Sequence, residues 1–384
     1  MKKWFVFIVA CLLSGQVQAQ EKKNWVLRNL GKLGAFIDTM TIKGVDPNYI
    51  EVPNKPWQLI LRFNTNDMDL TSQTKLTQEQ IAAKGLEGEL NWRTTIQPTA
   101  STSIGAWIGY RGYGLGYSFS LSKKEGNNFT FSATGSNYSL SMHFRRFKTN
   151  SMTAHIWGYD EDGPQDETSN GETLDPMTIH TTLINGFYML NGKRFSHAAA
   201  YDQSVIQRRS AGSLVVGGSW FYQSFDYVSD FNAPIIQLVS NIGRTQIYEG
   251  SLTLGYAYNW VPMKDLLINV TALPMITFYN RAKAYIYDSN YDIFLDPDEI
   301  SPNGKKAYPD DASWMEDIRV YQTDTEERHG KVSLNFEART SVTYQLGRYF
   351  VNAYGQVNHF HHHFDTNKLK NTDWSINASI GMRL

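Results

Sequence analysis

The sequence predicts an all-β fold, an antiparallel transmembrane β-barrel, and three observations lead to this prediction. Apolar and polar residues alternate at every second position along most of the 384-residue chain, which is the period of a strand with one apolar face. The alternating segments are about 9–13 residues long, as a tilted crossing of the bilayer requires. Many of them begin or end with Trp or Tyr, the residues that line both interfaces of a membrane barrel.

The first 19 residues, 1–19, have the features of a cleaved secretory signal peptide. Two lysines precede an apolar stretch from Trp4 to Leu13, and small residues at Val17 and Ala19 place the cleavage site before residue 20. A lipoprotein site at Cys11 is the alternative, but it would leave a short apolar stretch. Cys11 is the only cysteine, so the mature chain would contain no disulfide and no cysteine-based site.

The barrel strands are expected to occupy residues 57–384, after a short N-terminal periplasmic segment at residues 20–56. The pattern predicts about 14 strands, or about 12–16 at the limits. Leu384 ends both the chain and an alternating strand, as is common where the last strand of a barrel pairs with the first. The clearest alternating segments are 113–122, 138–145, 251–260, 332–339 and 374–384. Similar segments lie near 57–65, 86–97, 101–110, 127–134, 178–191, 212–226 and 265–280.

The connections between these strands predict an orientation. With both termini in the periplasm, nearly all long connections fall on the outer side and nearly all short turns on the inner side. One long connection, 192–211, is the exception and would be periplasmic. The predicted outer loops are 66–86, 159–177, 227–245, 289–328 and 361–371, and the predicted inner turns lie near 97–101, 148–151, 261–265 and 346–348.

Composition excludes several other classes of protein. The formal net charge is −1, without the basic excess of a nucleic-acid-binding protein, so no nucleic-acid partner is expected. Beyond the signal peptide, no apolar run reaches the length of a spanning helix. A secreted soluble β-sandwich stays as an alternative, because its strands also bury one apolar face.

A motif lies in the 192–211 connection and the first residues after it. Its residues are Phe195, Ser196, Ala199, Gln207, Ser210, Ala211, Gly212 and Ser213. This motif resembles a signature of the domain-of-unknown-function 4421 group of exported bacterial proteins, and Asp46-Pro47-Asn48-Tyr49-Ile50, just before the first strand, is similar to the start of that domain. The resemblance implies an envelope β-barrel without an assigned activity. Gln207 to Arg209 are interpreted as a lumen plug or a periplasmic anchor.

Charged residues of both signs are expected on the inward face of the strands. They share the strand parity opposite to that of the apolar residues, so they would face the lumen. Paired charges would close a narrow or plugged lumen, whereas unpaired charges would line a hydrated path. We expect the paired arrangement. The candidates are Glu87, Glu89, Arg93, Glu337, Arg339 and Arg383.

Four histidines near the end of the chain form the strongest candidate for a metal site. His359, His361 and His363 would share one strand face, and imidazole is a common ligand of transition metals. Only Asp365 is near enough to orient them, so the preferred interpretation is a polar strand end without metal. No cofactor is predicted.

Two hypotheses for function remain open. The first is a structural or porin-like conduit barrel with a narrow charged lumen in a Gram-negative envelope. Its partners would be outer-membrane lipids and the barrel-insertion machinery. The second is a lipid-modifying enzyme of the same membrane, because Ser141 and His143 lie two residues apart on one strand face. His180 and Thr182 form a weaker pair, and neither pair has an evident third residue to orient it.

Overall fold

A computed structural model of the protein describes most of the chain. The described residues are 43–75, 88–96, 101–121, 126–160, 163–293, 304–307, 317–364 and 367–384, with isolated residues 32, 35, 36, 39–41, 295 and 301. The predicted signal peptide, Glu87 and Asp365 lie outside them. No helix in the described ranges is long and apolar enough to cross a membrane.

The described residues form eighteen strands and very little helix. The helices are α1 (His197–Tyr201), α2 (Ala233–Leu238) and a single 3₁₀ turn at Asp230–Asn232. The strands are β1 (Ile50–Glu51), β2 (Trp57–Lys75), β3 (Glu89–Ile96), β4 (Ser101–Tyr110), β5 (Tyr113–Ser120), β6 (Gly126–Thr134), β7 (Tyr138–Asp160), β8 (Gly163–Met189), β9 (Ile206–Gln207), β10 (Ala211–Asp226), β11 (Ile242–Met263), β12 (Leu266–Ser289), β13 (Tyr291–Asp292), β14 (Lys306–Ala307), β15 (Val320–His329), β16 (Ser333–Leu346), β17 (Tyr349–Phe364) and β18 (Asn367–Arg383).

Fourteen of the described strands belong to one sheet, which closes into a barrel. The order β11-β10-β8-β7-β6-β5-β4-β2-β18-β17-β16-β12 closes through the pairing of β12 with β11. The last strand, β18, pairs along its length with β2, the first strand of the barrel, from Asn367 opposite Thr74 to Arg383 opposite Gln58. The predicted antiparallel barrel and its strand count are therefore confirmed.

Two of the fourteen strands extend the line of another strand: β3 continues the line of β4, and β15 continues the line of β16. β3 and β4 both run antiparallel to β2, but β3 pairs with β7 on its other side, beyond the short β5–β6 hairpin. β15 and β16 likewise both pair with β12. Residues 97–100 of the predicted inner turn near 97–101 lie outside the described residues, and the strands on either side of them run in the same direction.

The turns at one end of the barrel match the remaining predictions in part. Met263 and Leu266 close the β11–β12 turn, and Leu346 and Tyr349 close the β16–β17 turn, both at the end where the chain terminates. We call this end the terminal end. No turn interrupts β7 near 148–151, where the pairing with β8 instead shifts from Thr149 opposite Met177 to Ser151 opposite Glu172.

The outer face of the wall carries an apolar belt with aromatic residues at its edges. Leu252 and Leu254 are each 62% exposed and Ile380 is 64% exposed, whereas their strand neighbours point inward. Trp57 and Tyr110 pack edge to face at the terminal end, with ring centroids 5.0 Å apart. Exposed apolar residues in this number are stable only against lipid, so the barrel is transmembrane.

The connection between β8 and β10 folds into the barrel instead of lying outside it. It contains α1 and β9, and β9 pairs with β1 of the N-terminal segment, with Ile50 opposite Gln207. Buried apolar residues from both segments then meet Leu267 of the wall. The long connection therefore lies at the terminal end, as its position between the strands predicted and against the rule that long connections lie on the outer side, and it forms the candidate site.

Candidate functional site

Residues 195–209, which we call the plug, fill the barrel at the terminal end. The plug begins with Phe195, which is almost fully buried, and Ser196, whose hydroxyl caps α1 by accepting a hydrogen bond from the Ala199 amide at 3.2 Å. The three alanines of α1 are buried. Their small side chains let the helix backbone approach the wall closely.

Gln207 joins the plug into one unit. Its Oε1 accepts hydrogen bonds from the Ser196 amide and from Asn259 Nδ2, both at 3.0 Å. Its Nε2 donates to the carbonyl oxygens of Arg194 at 2.6 Å and Arg209 at 2.9 Å. The amide group is buried, and its hydrogen bonds connect the start of the plug to its end and to the wall.

Polar side chains of the wall hold the backbone of the plug. A plug carbonyl inside a barrel needs a donor, because an unpaired buried carbonyl is costly. Strands β2, β11, β17 and β18 supply these donors, and β12 accepts from the plug tyrosine. The contacts are Gln58 Nε2 to Asp202 O (2.9 Å), Asn259 Nδ2 to Ser196 O (2.8 Å), Asn352 Nδ2 to Ala200 O (3.2 Å), Arg383 Nη2 to Gln203 O (2.8 Å) and Tyr201 Oη to Asn269 Oδ1 (2.7 Å).

A cluster of ion pairs around Arg208 holds the C-terminal end of the plug. Arg208 donates to Glu51 of β1 and to Asp265 of the β11–β12 turn, each at 2.7 Å. Partial burial lowers the pKa of Arg208, but the hydrogen bonds and charges of both carboxylates outweigh it and raise the pKa above its ordinary value. The cluster therefore links the plug to the N-terminal segment and to the wall.

The motif residues that follow the plug start β10. Ser210 Oγ accepts from the Val261 amide at 2.9 Å, and Ser213 Oγ accepts from the Asn191 amide at 3.0 Å. A Cβ added at Gly212 would overlap the phenol of Tyr256. Ala211 packs against the buried apolar cluster around Phe187 and Phe195. These four residues are small because neighbouring groups lie against the backbone here.

A buried ion pair lies directly beyond the plug. Glu337 and Arg339 contact each other on β16 with their side chains 1% and 7% exposed, respectively. Asn185 Nδ2 donates to Glu337 at 3.3 Å. The Arg339 guanidinium lies 5.6 Å from the ring of Phe187 and 5.8 Å from that of Tyr201, which belongs to the plug. The pair therefore contacts both the wall and the plug.

A second buried ion pair borders a small polar cavity. Arg145 of β7 makes a two-pronged contact with Asp373 of β18, with one arm at 2.9 Å. Arg62, His143 and Tyr354 line the same cavity, whose volume of about 40 Å³ has room for a few water molecules. Asp373 is the only carboxylate among its lining residues, so the cavity carries an excess of positive charge.

Farther from the plug, the interior is filled by packed side chains. Glu249 accepts from Ser251 at 2.8 Å and from Thr277 at 2.9 Å, and its other oxygen lies 3.2 Å from His362 Nδ1. The rings of Phe221 and Phe360 stack at 4.4 Å beside these polar groups. A further apolar layer then closes the interior, formed by Met68, Leu70, Ile96, Met177, Ile179, Phe225 and Ile247.

The predicted lumen residues fall into two groups. Glu337, Arg339 and Arg383 face inward and are buried. Glu89 and Arg93 face outward, which corrects the inward assignment: Glu89 is exposed beside Lys75, and Arg93 lies over the ring of Trp157 at 4.8 Å. At this height the interior is apolar, so Leu90 and Ile96 of β3 are the buried residues. Glu87 lies outside the described residues.

The histidine cluster divides between the two faces of β17. His359, His361 and His363 share one face, as predicted, and this is the outer face; His359 Nδ1 lies 2.8 Å from Thr372 Oγ1. His362 points inward to Glu249. The described residues contain no group of three or more metal-ligating side chains close enough to hold a metal ion.

Sequence reasoning named Arg383 but missed four other wall residues that contact the plug. Gln58, Asn259, Asn269 and Asn352 are buried amides at inward positions near the terminal end. Polar inward residues are also expected for the wall of an open pore, so the residue types alone gave no signal. The partner that each amide contacts lies far away in sequence, so the pattern alone could not assign it.

The closed register, the lipid-facing belt and the filled interior define a transmembrane β-barrel of the outer-membrane class with a built-in plug. The chain belongs to the family described as Domain of unknown function (DUF4421), which matches residues 45–383 and includes the whole plug. The resemblance drawn from the motif is thus confirmed. No curated protein matches this chain.

Solved barrels resemble the chain only distantly. The outer membrane protease OmpT from Escherichia coli is 9% identical over 87% of this chain and 98% of its own, with a TM-score of 0.30. The β domain of the Bordetella autotransporter BrkA is 9% identical over 86% of this chain and 100% of its own, with a TM-score of 0.27. Likenesses this distant say nothing about activity, so the fold assignment depends on the register described above.

Proposed function

We propose that the protein is an outer-membrane β-barrel with a closed lumen and a structural role: it anchors the folded unit of the plug and the N-terminal segment in the membrane. The observation that carries this proposal is the plug, whose backbone is held by side chains from β2, β11, β17 and β18. The buried layers beyond the plug support it as well. A barrel that is filled by side chains along its length has no open path for solutes, so its function would depend on its exposed surfaces.

The location in the outer membrane is part of this proposal. The apolar belt with aromatic edges and the predicted signal peptide both support export to that membrane. In this arrangement the terminal end faces the periplasm and the barrel-insertion machinery recognises β18. A heat-modifiable shift on a denaturing gel tests the location, and a soluble protein without such a shift would contradict it.

Planar-bilayer conductance tests the closed lumen. The full mature barrel is expected to give no stable conductance steps under conditions in which an open porin, reconstituted in parallel, conducts. The reason is that both the plug and the layers around Phe221 and Met68 obstruct the path. Stable conductance by the unmodified protein would contradict the proposal.

A gated conduit is the second candidate. It is favoured by one observation: hydrogen bonds and the Arg208 ion pairs hold much of the plug, and such contacts can exchange with water. Because β8 and β10 are paired neighbours, with Met189 opposite Val215, a short Gly-Ser linker can replace residues 192–209. A conduit closed only by the plug would conduct in this variant, whereas the structural barrel would stay closed.

The enzyme hypothesis has less support. Ser141 and His143 share the inward face of β7, away from lipid, and His143 lines the polar cavity. Asp373, the only carboxylate of that cavity, is engaged by Arg145. A measurable phospholipid turnover that disappears in both Ser141→Ala and His143→Ala would nevertheless establish it.

A further inference from the structure

Three rows of outward-facing side chains lie above the apolar belt on neighbouring strands, at the end opposite the terminal end. The register defines these rows, because residues paired across strands share one face. The first row is Phe144, Thr182, Tyr222, Tyr248 and Arg281; the second is Arg146, His180, Ser224, Gln246 and Lys283; the third is Lys148, Thr178, Asp226, Arg244 and Tyr285.

Aromatic residues fix the height of these rows relative to the bilayer. Trp220 and Tyr279 stack just below the first row, with ring centroids 5.5 Å apart, and Tyr222 and Tyr248 of the first row lie 5.0 Å apart. Trp and Tyr concentrate at the boundary between hydrocarbon and headgroups. The second and third rows therefore lie at the height of the lipid headgroups.

These rows carry an excess of positive charge. Lys148 makes a contact of its own, and the other four cations are opposed by two carboxylates, Asp226 and, on the neighbouring strand β15, Glu327, which leaves two positive charges (4 − 2) among the described residues of this face. Arg244 pairs with Asp226 at 2.6 Å, and Arg281 pairs with Glu327. We call Arg146, Lys148, Arg244, Arg281 and Lys283 the basic face.

Two members of the basic face are held against an aromatic ring. Lys283 Nζ lies 5.0 Å from the ring of Tyr285, and the Arg244 guanidinium lies 5.6 Å from it. Lys283 is also 3.9 Å from Glu327, a long contact for an ion pair. Arg146 has no carboxylate within ion-pair distance in the described part of the chain. These cations are therefore positioned to take an additional anionic partner.

We propose that the basic face binds the phosphate groups of the membrane lipids around the barrel, a proposal that rests on the membrane location given above. Phosphate fits because it is the anion at this height in a bilayer, and guanidinium and ammonium groups both donate charge-assisted hydrogen bonds to it. The row spacing of a sheet places several cations within reach of one headgroup. Long side chains also let the charges reach the phosphates while their stems contact the belt edge.

Native mass spectrometry of the full mature barrel in detergent tests this proposal, with phosphatidic acid, phosphatidylcholine and inorganic phosphate as probes. The wild-type barrel is expected to bind phosphatidic acid more tightly than phosphatidylcholine. The variant Arg146→Gln with Lys283→Gln keeps the Arg244 and Arg281 ion pairs. It should lose about 5-fold in phosphatidic acid affinity for each charge removed, or about 25-fold in total.

Two controls separate this effect from others. Lys55→Gln with Lys193→Gln removes the same charge from exposed positions at the terminal end and should leave the affinity unchanged. Arg146→Lys with Lys283→Arg keeps the charge and should restore binding. Equal affinity of the wild type for both lipids, an unchanged Gln variant, or full competition by equimolar inorganic phosphate would each overturn the proposal. A missing heat-modifiable shift would instead count against the membrane location.

Discussion

Replacing Gln207 by Leu should release the plug without dismantling the barrel. Leu has a similar volume but cannot make the hydrogen bonds that Gln207 forms with Ser196, Asn259, Arg194 and Arg209. The Ser196 amide and the Arg194 carbonyl would lose their partners. At about 1–3 kcal/mol for each unsatisfied buried group, the plug should be destabilised by about 2–6 kcal/mol.

Amide hydrogen exchange measures this loss directly. Exchange of the plug amides through local opening should accelerate by about 30-fold or more, the equivalent of about 2 kcal/mol. The strands of the wall should exchange as in the wild type, because their ladder hydrogen bonds are unaffected. Gln322→Leu, an exposed position on β15, is the matched control and should change neither region.

Two results would refute this reasoning. If plug exchange in Gln207→Leu stays within a few-fold of the wild type, the amide group does not hold the plug. If the wall and the plug accelerate together, the plug is not a separate unit, and Gln207 acts through global stability. Heat-modifiability of the variant shows independently whether the barrel still forms.

Three further predictions concern the same interior and are measured as urea-unfolding midpoints in lipid vesicles or as plug exchange. Arg339→Met leaves the Glu337 carboxylate buried without its partner and should cost about 3–5 kcal/mol, whereas adding Glu337→Gln should recover part of it; additive effects would exclude coupling. Gly114→Val should cost about 1–3 kcal/mol because a Cβ there overlaps the indole of Trp107, while Gly186→Ala, with open space, should be nearly silent. Ser196→Ala should cost about 1 kcal/mol and accelerate plug exchange less than Gln207→Leu does.

The outer face of this barrel could be predicted from sequence because the bilayer imposes one rule on it. Each lipid-facing position must be apolar, so Leu252, Leu254 and Ile380 repeat at every second residue regardless of their neighbours in the fold. That rule ends where the wall rises above the membrane. There β3 turns its apolar residues Leu90 and Ile96 inward, and the same alternation then predicts the wrong face for Glu89.

The strand connections show a second limit of sequence patterns. A change of parity indicates a turn or a bulge equally well. Near Thr149 it is a shift of register within a continuous strand, whereas it is a turn at Arg111, where the positive φ of 53° lets β4 pass into β5. Only the pairing partners decide between the two, and those partners are distant in sequence.

The filling of the barrel interior depends on residues that the alternation treats as exceptions. An open pore needs polar residues on its inward face, yet Ile60 lies inward between the exposed Leu59 and Leu61 and is fully buried. Trp107 and Phe350 lie inward beside it and form a buried apolar cluster. Apolar residues at inward positions would be unstable against a water-filled channel, so they require a filled interior. Interruptions of the period-two pattern by inward apolar residues are therefore the sequence feature that separates a filled barrel from an open one, and in this chain they point to the same closed interior as the plug.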